Sequence, residues 1–145
     1  MLTTDQKGAI AETAIVLAAV RLGVDVYRPL SDGGRYDLIF DVGERLLRIQ
    51  CKTAAHHGDV LAVPCYSARR SPNGFSKRRY TVDEVDAIAA YSPDLDKSYL
   101  LFLERFGTRT SIQLRLVPAR NNQRTGINWA DDFAFDATLT SLLGP

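Results

Sequence analysis

Three side chains in one short stretch of the sequence have the types that phosphodiester chemistry requires. The stretch, residues 35–53, reads RYDLIFDVGERLLRIQCKT and contains Asp37, Gln50 and Lys52. A carboxylate and a side-chain carbonyl are hard oxygen ligands suited to Mg²⁺, and such a metal can activate water and polarise a phosphate. A nearby lysine can stabilise the charge that builds up on phosphorus. The alternative interpretation is a polar hairpin face that solvent simply wets.

The same stretch is typical of a β-hairpin, with strands predicted over 36–42 and 45–53 and a two-residue turn between them. In the register that this turn favours, Asp37 lies directly opposite Gln50. Residues opposite each other share a face, and Lys52 follows two residues further along on that face. The other face is apolar and is predicted to be the core side. A three-residue turn would shift the register and separate the three polar side chains.

Glu12 is a fourth candidate, because it is the only ionisable residue within 8–20, in a segment predicted to be helical over 4–22. A helix this apolar is expected to be buried on most sides. A carboxylate there is costly unless it is paired, metal-bound or exposed at a cleft. Packing of the helix on the sheet would bring Glu12 to the polar end of the hairpin. The alternative is a rim position or an ion pair with Lys7 or Arg48.

Length and composition predict one globular domain over residues 1–145. The chain has 145 residues, of which 46% are apolar and 24% charged, as in typical globular proteins. No stretch approaches the ~18 consecutive apolar residues of a membrane span, and the N-terminus lacks the basic start of a secretory signal. The two cysteines have no metal-like spacing. We therefore expect a cytoplasmic protein with no membrane partner.

One segment concentrates positive charge, although the formal net charge is only +1. Residues 69–79, RRSPNGFSKRR, hold five basic residues and no acidic one. The Ser, Pro, Asn and Gly residues between them indicate a flexible basic loop. Such a loop suits a phosphate backbone, and Phe75 and Tyr80 could add stacking on bases. The alternative is a solvated loop without a partner.

The other elements follow from periodicity and turn residues. Residues 81–91 are predicted to be a short helix, because Thr81 and Glu84 can form a capping box. The segment 59–67 is predicted to be an edge strand, because Pro64 lacks the N–H that a central strand needs. Further strands are predicted over 24–30, 98–105 and 111–117, and a weak helix near the C-terminus.

Four short motifs, in this order, resemble a known family. KGAIAE, YRPL, YDLIF and IQCKT resemble the motifs of the PD-(D/E)XK nuclease superfamily, most closely those of small homing endonucleases of the group I intron type. The resemblance covers most of the chain, and archaeal Holliday junction resolvases share the order with a looser match. It implies an α/β fold, with a mixed central β-sheet flanked by helices in a restriction-endonuclease-like core.

The resemblance also implies roles for the candidate residues. Asp37 would be the principal metal ligand, Lys52 the catalytic lysine and Glu12 the acidic residue of the first helix. Gln50 takes the place where most of the superfamily has Asp or Glu, and the backbone carbonyl of Cys51 is a further ligand. The implied cofactor is Mg²⁺, for which Mn²⁺ is expected to substitute. Since an amide brings no charge, we expect one tightly held metal.

Double-stranded DNA is the implied partner. Its candidate contacts are the basic residues Arg28, Arg69, Arg70, Lys77, Arg78, Arg79 and Arg124. A duplex has two antiparallel strands, so we expect a homo-oligomer, a dimer or tetramer, that presents one site to each strand. Two alternatives stay open: a Holliday junction resolvase or repair nuclease, and a non-catalytic DNA-binding module, which the missing acid at Gln50 favours.

Overall fold

A computed structural model of the protein describes residues 1–117 and 126–144, with the backbone alone for Arg69 and Arg70. The elements are, in chain order, α1 (Thr4–Arg21), β1 (Asp25–Tyr27), β2 (Leu38–Asp41), β3 (Leu46–Thr53), β4 (Ala55–His57), β5 (Val60–Pro64), β6 (Tyr66–Ser71), β7 (Gly74–Arg79), β8 (Ala87–Ser92), β9 (Lys97–Phe102), α2 (Leu103–Phe106), β10 (Ser111–Arg115), a 3₁₀ helix (Ala130–Phe133) and α3 (Phe135–Thr140). None of the helices in these ranges is long and apolar enough to cross a membrane.

The central sheet is mixed and has the strand order β1-β2-β3-β8-β9. β3 is antiparallel to β2 and parallel to β8, and the other pairs are antiparallel. The predicted hairpin register is confirmed, since Leu38 lies opposite Ile49 and Asp41 opposite Leu46. The predicted α/β fold with a mixed central sheet is therefore also confirmed.

Both faces of the central sheet are covered by apolar side chains. On one face, α1 and α3 pack against the sheet, and the ring of Phe40 meets that of Phe135 edge to face at 6.0 Å. On the other face, a second cluster includes Leu61 and Ile112 from the three-stranded sheet β10-β5-β4. The polar positions of β3 therefore lie beside a second core, so Gln50 is only 8% exposed.

Helix α1 begins at Thr4, where the predicted helix 4–22 begins, and its N-cap is Thr3. Thr3 accepts from the backbone N–H of Gln6, whose side chain accepts from the N–H of Thr3, which completes a capping box. Ala11, Ile15 and Ala19 are the buried residues, spaced four apart, so one stripe of the helix faces the sheet. This orientation leaves Glu12, next to Ala11, half-buried at the margin of that stripe.

The predicted helix over 81–91 is wrong. Thr81 and Glu84 do interact (Oγ1 to Oε1, 3.1 Å), and Val85 donates to the carbonyl of Thr81, but this makes a single turn. The chain then enters the central sheet as β8. The small side chains of Ala87, Ala89 and Ala90 fit between β3 and β9, where they are fully buried.

An ion pair between Asp86 and Arg48 joins the start of β8 to β3. The Asp86 carboxylate accepts from the backbone N–H of Arg48 at 2.7 Å and from its guanidinium at 3.1 and 3.2 Å. The backbone N–H of Asp86 donates to the carbonyl of Arg48 at 2.9 Å. Burial opposes ionisation here, but the hydrogen bonds from Arg48 outweigh it and hold the pKa of Asp86 below its ordinary value.

Two further predictions about the segment 59–79 are also wrong. The predicted strand 59–67 is divided between β5 and β6, and β5 lies in the middle of its sheet because Pro64 falls at the strand end. The predicted basic loop is a β-hairpin made by β6 and β7, with Gly74 at φ +116° beside the turn. We call residues 66–79 the basic hairpin.

Replacing Asp86 by Asn is expected to lower the free energy of unfolding by about 1.5–3 kcal/mol at neutral pH, because the charge-assisted hydrogen bonds are lost. A lowered pKa stabilises the fold above the ordinary pKa of the carboxyl and no longer does so once the pH falls through the folded-state pKa. The difference between the two proteins should therefore disappear in acid. Urea unfolding at neutral and acid pH measures it, with Asp83→Asn, an exposed carboxylate of the same turn, as control. An equal loss in the control would contradict this role.

Candidate active site

Asp37 lies immediately before β2, where the regular ladder with β3 stops. Its backbone N–H donates to the carbonyl of Ile49 at 2.8 Å, and its carboxylate Oδ2 accepts from the backbone N–H of Cys51 at 2.9 Å. The carboxylate thus takes the place of a backbone carbonyl as the partner of a strand N–H. This bond fixes the direction of the side chain and leaves the second carboxylate oxygen for a ligand.

The environment of Asp37 disfavours an unpartnered charge. Burial raises the pKa of Asp37, and the hydrogen bond from Cys51 and the positive charge of Lys52 only partly oppose this. A buried carboxylate whose ionised form is under-stabilised gains from a bound cation. This feature fits the divalent ion that the motif implies.

Gln50 lies in the middle of β3, opposite Ile88 of β8, and is nearly buried. Its amide nitrogen donates to the carbonyl oxygen of Cys51 at 3.3 Å. The carboxamide oxygen is therefore the Gln50 atom suited to a hard cation. This contact places the amide nitrogen, and so the carboxamide group, next to the backbone carbonyl that was predicted as a further ligand.

Lys52 extends from β3 towards the basic hairpin. Its ammonium donates to the carbonyl of Tyr66 at 3.0 Å and lies 5.2 Å from the centre of the Tyr80 ring. Burial lowers the pKa of Lys52, while the charge of Asp37 acts in the opposite direction. The side chain is thus a half-buried cation whose charge interacts with that of the Asp37 carboxylate.

Glu12 pairs with a residue that the sequence did not suggest for it. Its carboxylate lies 3.4 Å from the guanidinium of Arg28, rather than beside Lys7 or Arg48. Glu12, Arg28 and Asp37 line one cavity of about 180 Å³, which the loop 31–34 also lines. The structure therefore brings the helix carboxylate and the strand carboxylate to the same opening. A larger groove of about 420 Å³, between α1, β9 and α3, has no predicted site residue in its lining.

Within residues 1–117 and 126–144, no three His, Cys, Asp or Glu side chains are close enough together to hold a metal. The donors that fit a divalent ion are instead of three different kinds. They are one carboxylate (Asp37), one carboxamide oxygen (Gln50) and one backbone carbonyl (Cys51). A donor set with a single carboxylate is typical of Mg²⁺, which retains waters and substrate oxygens as its other ligands.

The basic hairpin presents exposed cations. Lys77, Arg78 and Arg79 are all exposed on β7. The ammonium of Lys77 lies 4.7 Å from the centre of the Tyr66 ring, and Arg78 pairs with Glu84 at 2.7 Å. This places positive charge on the element that Lys52 contacts.

Three of the predicted DNA contacts are described only in part or not at all. Arg69 and Arg70 lie on β6, where their backbones pair with Ser76 and Phe75. Arg124 lies outside the described residues.

Arg35 is a site residue that sequence reasoning missed. It precedes Asp37 by two residues, and its guanidinium contacts both strands of the basic hairpin and the ring of Tyr80. The sequence shows only an arginine after a glycine pair. Its partners come from residues more than thirty positions away, so no local pattern predicts them.

The fold and the grouping of Asp37, Gln50 and Lys52 define a restriction-endonuclease-like α/β domain. A family model described as PD-(D/E)XK endonuclease matches residues 2–136, so the chain belongs to the PD-(D/E)XK endonuclease family. The family predicted from the four motifs is thereby confirmed. Nucleases of this family generally use divalent metal ions.

Among solved structures, the chain is similar to a bacterial homing endonuclease, I-Ssp6803I. The two share 26% sequence identity and a TM-score of 0.73, over 96% of this chain and 93% of that chain. No curated protein gives a significant match. The domain is therefore a nuclease domain of nearly the same extent as that of its structural relative.

Replacing Asp37 by Asn is expected to raise the free energy of unfolding at neutral pH, on the order of 1 kcal/mol, as often happens at functional sites. Asn keeps an acceptor for the Cys51 N–H but removes the buried charge. A raised pKa means that protonation stabilises the fold below the ordinary pKa, and this contribution is lost as the pH rises through the folded-state pKa. The gain of the variant should therefore vanish in acid.

Urea unfolding without divalent ions measures this difference. Asp25→Asn, an exposed carboxylate on β1, is the matched control and should change little. A destabilised Asp37→Asn protein would show that the charge of Asp37 supports the fold, contrary to this account.

Proposed function

We propose that the protein is a Mg²⁺-dependent DNA endonuclease of the homing type. The observation that carries the proposal is the Asp37 carboxylate, oriented by the Cys51 N–H and lying close to Lys52, in a chain of the PD-(D/E)XK endonuclease family. The likeness to a bacterial homing endonuclease over nearly the whole chain supports the homing type.

The residues that would hold the metal are Asp37, Gln50 and the backbone carbonyl of Cys51. Mg²⁺ in such a site lowers the pKa of a bound water and neutralises charge on the phosphate. Gln50 contributes an oxygen but no charge, which favours a single metal. Mn²⁺, which prefers the same kinds of oxygen ligand, is expected to substitute.

The chain supplies the remaining chemistry through Lys52 and Glu12. The ammonium of Lys52 is close to Asp37 and can stabilise the negative charge that develops on phosphorus. The carboxylate of Glu12 lines the same cavity as Asp37 and can orient a water there by accepting its hydrogen bond. Arg28, the partner of Glu12, has a side chain that is 58% exposed and is available to a phosphate.

Double-stranded DNA is the proposed substrate, and the basic hairpin is the proposed contact surface. Lys77, Arg78 and Arg79 are exposed on β7, and Arg69 and Arg70 belong to the paired strand. A two-stranded ribbon can enter the major groove or follow the phosphate backbone. Binding through such cations weakens as salt concentration rises. Arg124 remains a further predicted contact.

The ammonium of Lys52 is expected to be essential for cleavage. Lys52→Met keeps most of the side-chain volume but removes the charge, and it should lower the cleavage rate by about 10²–10⁴-fold. The measurement uses supercoiled plasmid and a randomised duplex library, with Mg²⁺ or with EDTA. Lys7→Met, an exposed lysine on α1, is the control.

Cleavage that persists in EDTA or in Lys52→Met would contradict the proposed mechanism. A wild-type protein that binds duplex DNA in a salt-sensitive way but never cuts it would instead indicate a non-catalytic DNA-binding module. Cutting confined to four-way junctions would identify a junction resolvase.

We also propose that the protein acts as a dimer or tetramer, because a duplex presents two antiparallel strands to a chain with one site. The outer side of α1 supports this, since Ile10, Leu17 and Val20 are 40%, 48% and 53% exposed. Such a ridge of apolar side chains is available to a second copy of the chain. Sedimentation velocity should therefore give two or four times the monomer mass, and Leu17→Glu should lower it. Gln113→Glu, at an exposed position on β10, is the control, and a monomeric wild type would exclude the oligomer.

A further inference from the structure

The guanidinium of Arg35 is directed at protein groups on three of its sides. Nη1 donates to the hydroxyl of Ser67 at 2.8 Å, and Nη2 donates to the carbonyl of Arg79 at 2.7 Å. Nε lies 3.1 Å from the carboxylate of Glu84, and the Arg35 side chain is only 17% exposed. A guanidinium has five N–H groups in a fixed fork. Here one N–H of Nη1 and one of Nη2 donate hydrogen bonds, and Nε is buried beside Glu84 with no hydrogen-bond partner among the described residues. Arg35 is therefore poorly placed to bind a phosphate.

The partners of Arg35 lie at the base of the basic hairpin, on both of its strands. Ser67 belongs to β6 and Arg79 is the last residue of β7. Ser67 pairs with Arg78 in the ladder, next to the position that Arg35 contacts. One side chain therefore joins the segment before Asp37 to both strands of the element proposed to bind DNA.

Tyr80 connects this contact to Lys52. The guanidinium of Arg35 lies 4.3 Å from the centre of the Tyr80 ring, and the ammonium of Lys52 lies 5.2 Å from it. Tyr80 is 3% exposed, and its backbone N–H donates to the carbonyl of Cys65 at 3.1 Å. Lys52 in turn donates to the carbonyl of Tyr66. The hairpin base is thus held by two cations that share one buried ring.

We infer that Arg35 is a positioning residue that fixes the basic hairpin relative to Asp37 and Lys52. This inference rests on the proposed function and adds to it the device that aligns bound DNA with the site. A phosphate backbone held by the hairpin reaches the reacting groups in the correct place only if the hairpin base does not move. Misplacement by about 1 Å can cost 10²-fold in rate.

Kinetics can separate a positioning residue from a phosphate contact. Arg35→Met is expected to lower the single-turnover rate at saturating DNA by about 10–10²-fold, with the affinity and its salt dependence little changed. Arg35→Lys keeps the charge but not the fork, and it should not restore the rate. Arg79→Ala provides the reference for a phosphate contact. It should weaken binding and reduce the salt slope by about 0.9.

An Arg35→Met protein that behaves like Arg79→Ala would overturn the inference, because Arg35 would then act on the phosphate itself. Full restoration by Arg35→Lys would also overturn it, because charge alone would suffice.

Amide hydrogen exchange of the free protein tests the contact without relying on cleavage. In Arg35→Met, the amides of residues 66–80 should exchange at least about 10-fold faster, since a bond network worth more than 1.4 kcal/mol is lost. The amides of α1 and β9 should keep their wild-type rates, which shows that the variant is folded. Unchanged exchange in the hairpin would overturn the inference. A wild type that cuts no DNA would defeat the proposed function and the positioning role, whereas faster hairpin exchange would still establish the contact.

Discussion

β3 is hydrogen-bonded on both edges and covered on both faces, and the rest of the structure follows from this arrangement. Its backbone pairs with β2 on one side and with β8 on the other. Successive side chains of a strand point to opposite faces of the sheet, so those of β3 enter the two cores alternately. Gln50 and Lys52 therefore lie on the face of the second core, and Cys51 packs towards α1. Polar groups in such a strand are desolvated, which lowers the pKa of Lys52 and raises that of Asp37 beside it.

Where the pairing of β2 with β3 ends, the Asp37 carboxylate belongs both to the sheet and to the candidate site. The N–H of Cys51 extends beyond the last paired residues, Leu38 and Ile49, and a buried N–H needs a partner. The Asp37 carboxylate supplies it, so the same side chain completes the sheet and points into the cavity beside Glu12. A backbone N–H in a sheet is a rigid donor, so this bond fixes the direction of the carboxylate.

Local signals predicted the parts of the fold that local interactions control. The turn and the alternation in 36–53 predicted the hairpin register, and the apolar run after Thr4 predicted α1. The helix predicted over 81–91 is wrong because the contact between the Thr81 hydroxyl and the Glu84 carboxylate stabilises only a single turn. Arg48, more than thirty residues away, binds Asp86, and the chain pairs with β3 as β8. In the same way, the concentration of positive charge identified residues 69–79 as a basic segment. Composition does not show that two strands pair there, so the hairpin was not predicted. Arg35 could not be found because its role consists entirely of distant contacts.

Gln50 is consistent with the electrostatics of this buried position. A carboxylate there would add a second negative charge close to Asp37, whose pKa burial already raises, and one of two such neighbours would tend to keep its proton. An amide supplies an oxygen at this position without that repulsion. The described ionisable groups in and next to the site include three anions, Glu12, Asp37 and Glu84, and three cations, Arg28, Arg35 and Lys52. Their formal charges balance, which suits a half-buried site between two apolar clusters, where an unbalanced charge is costly.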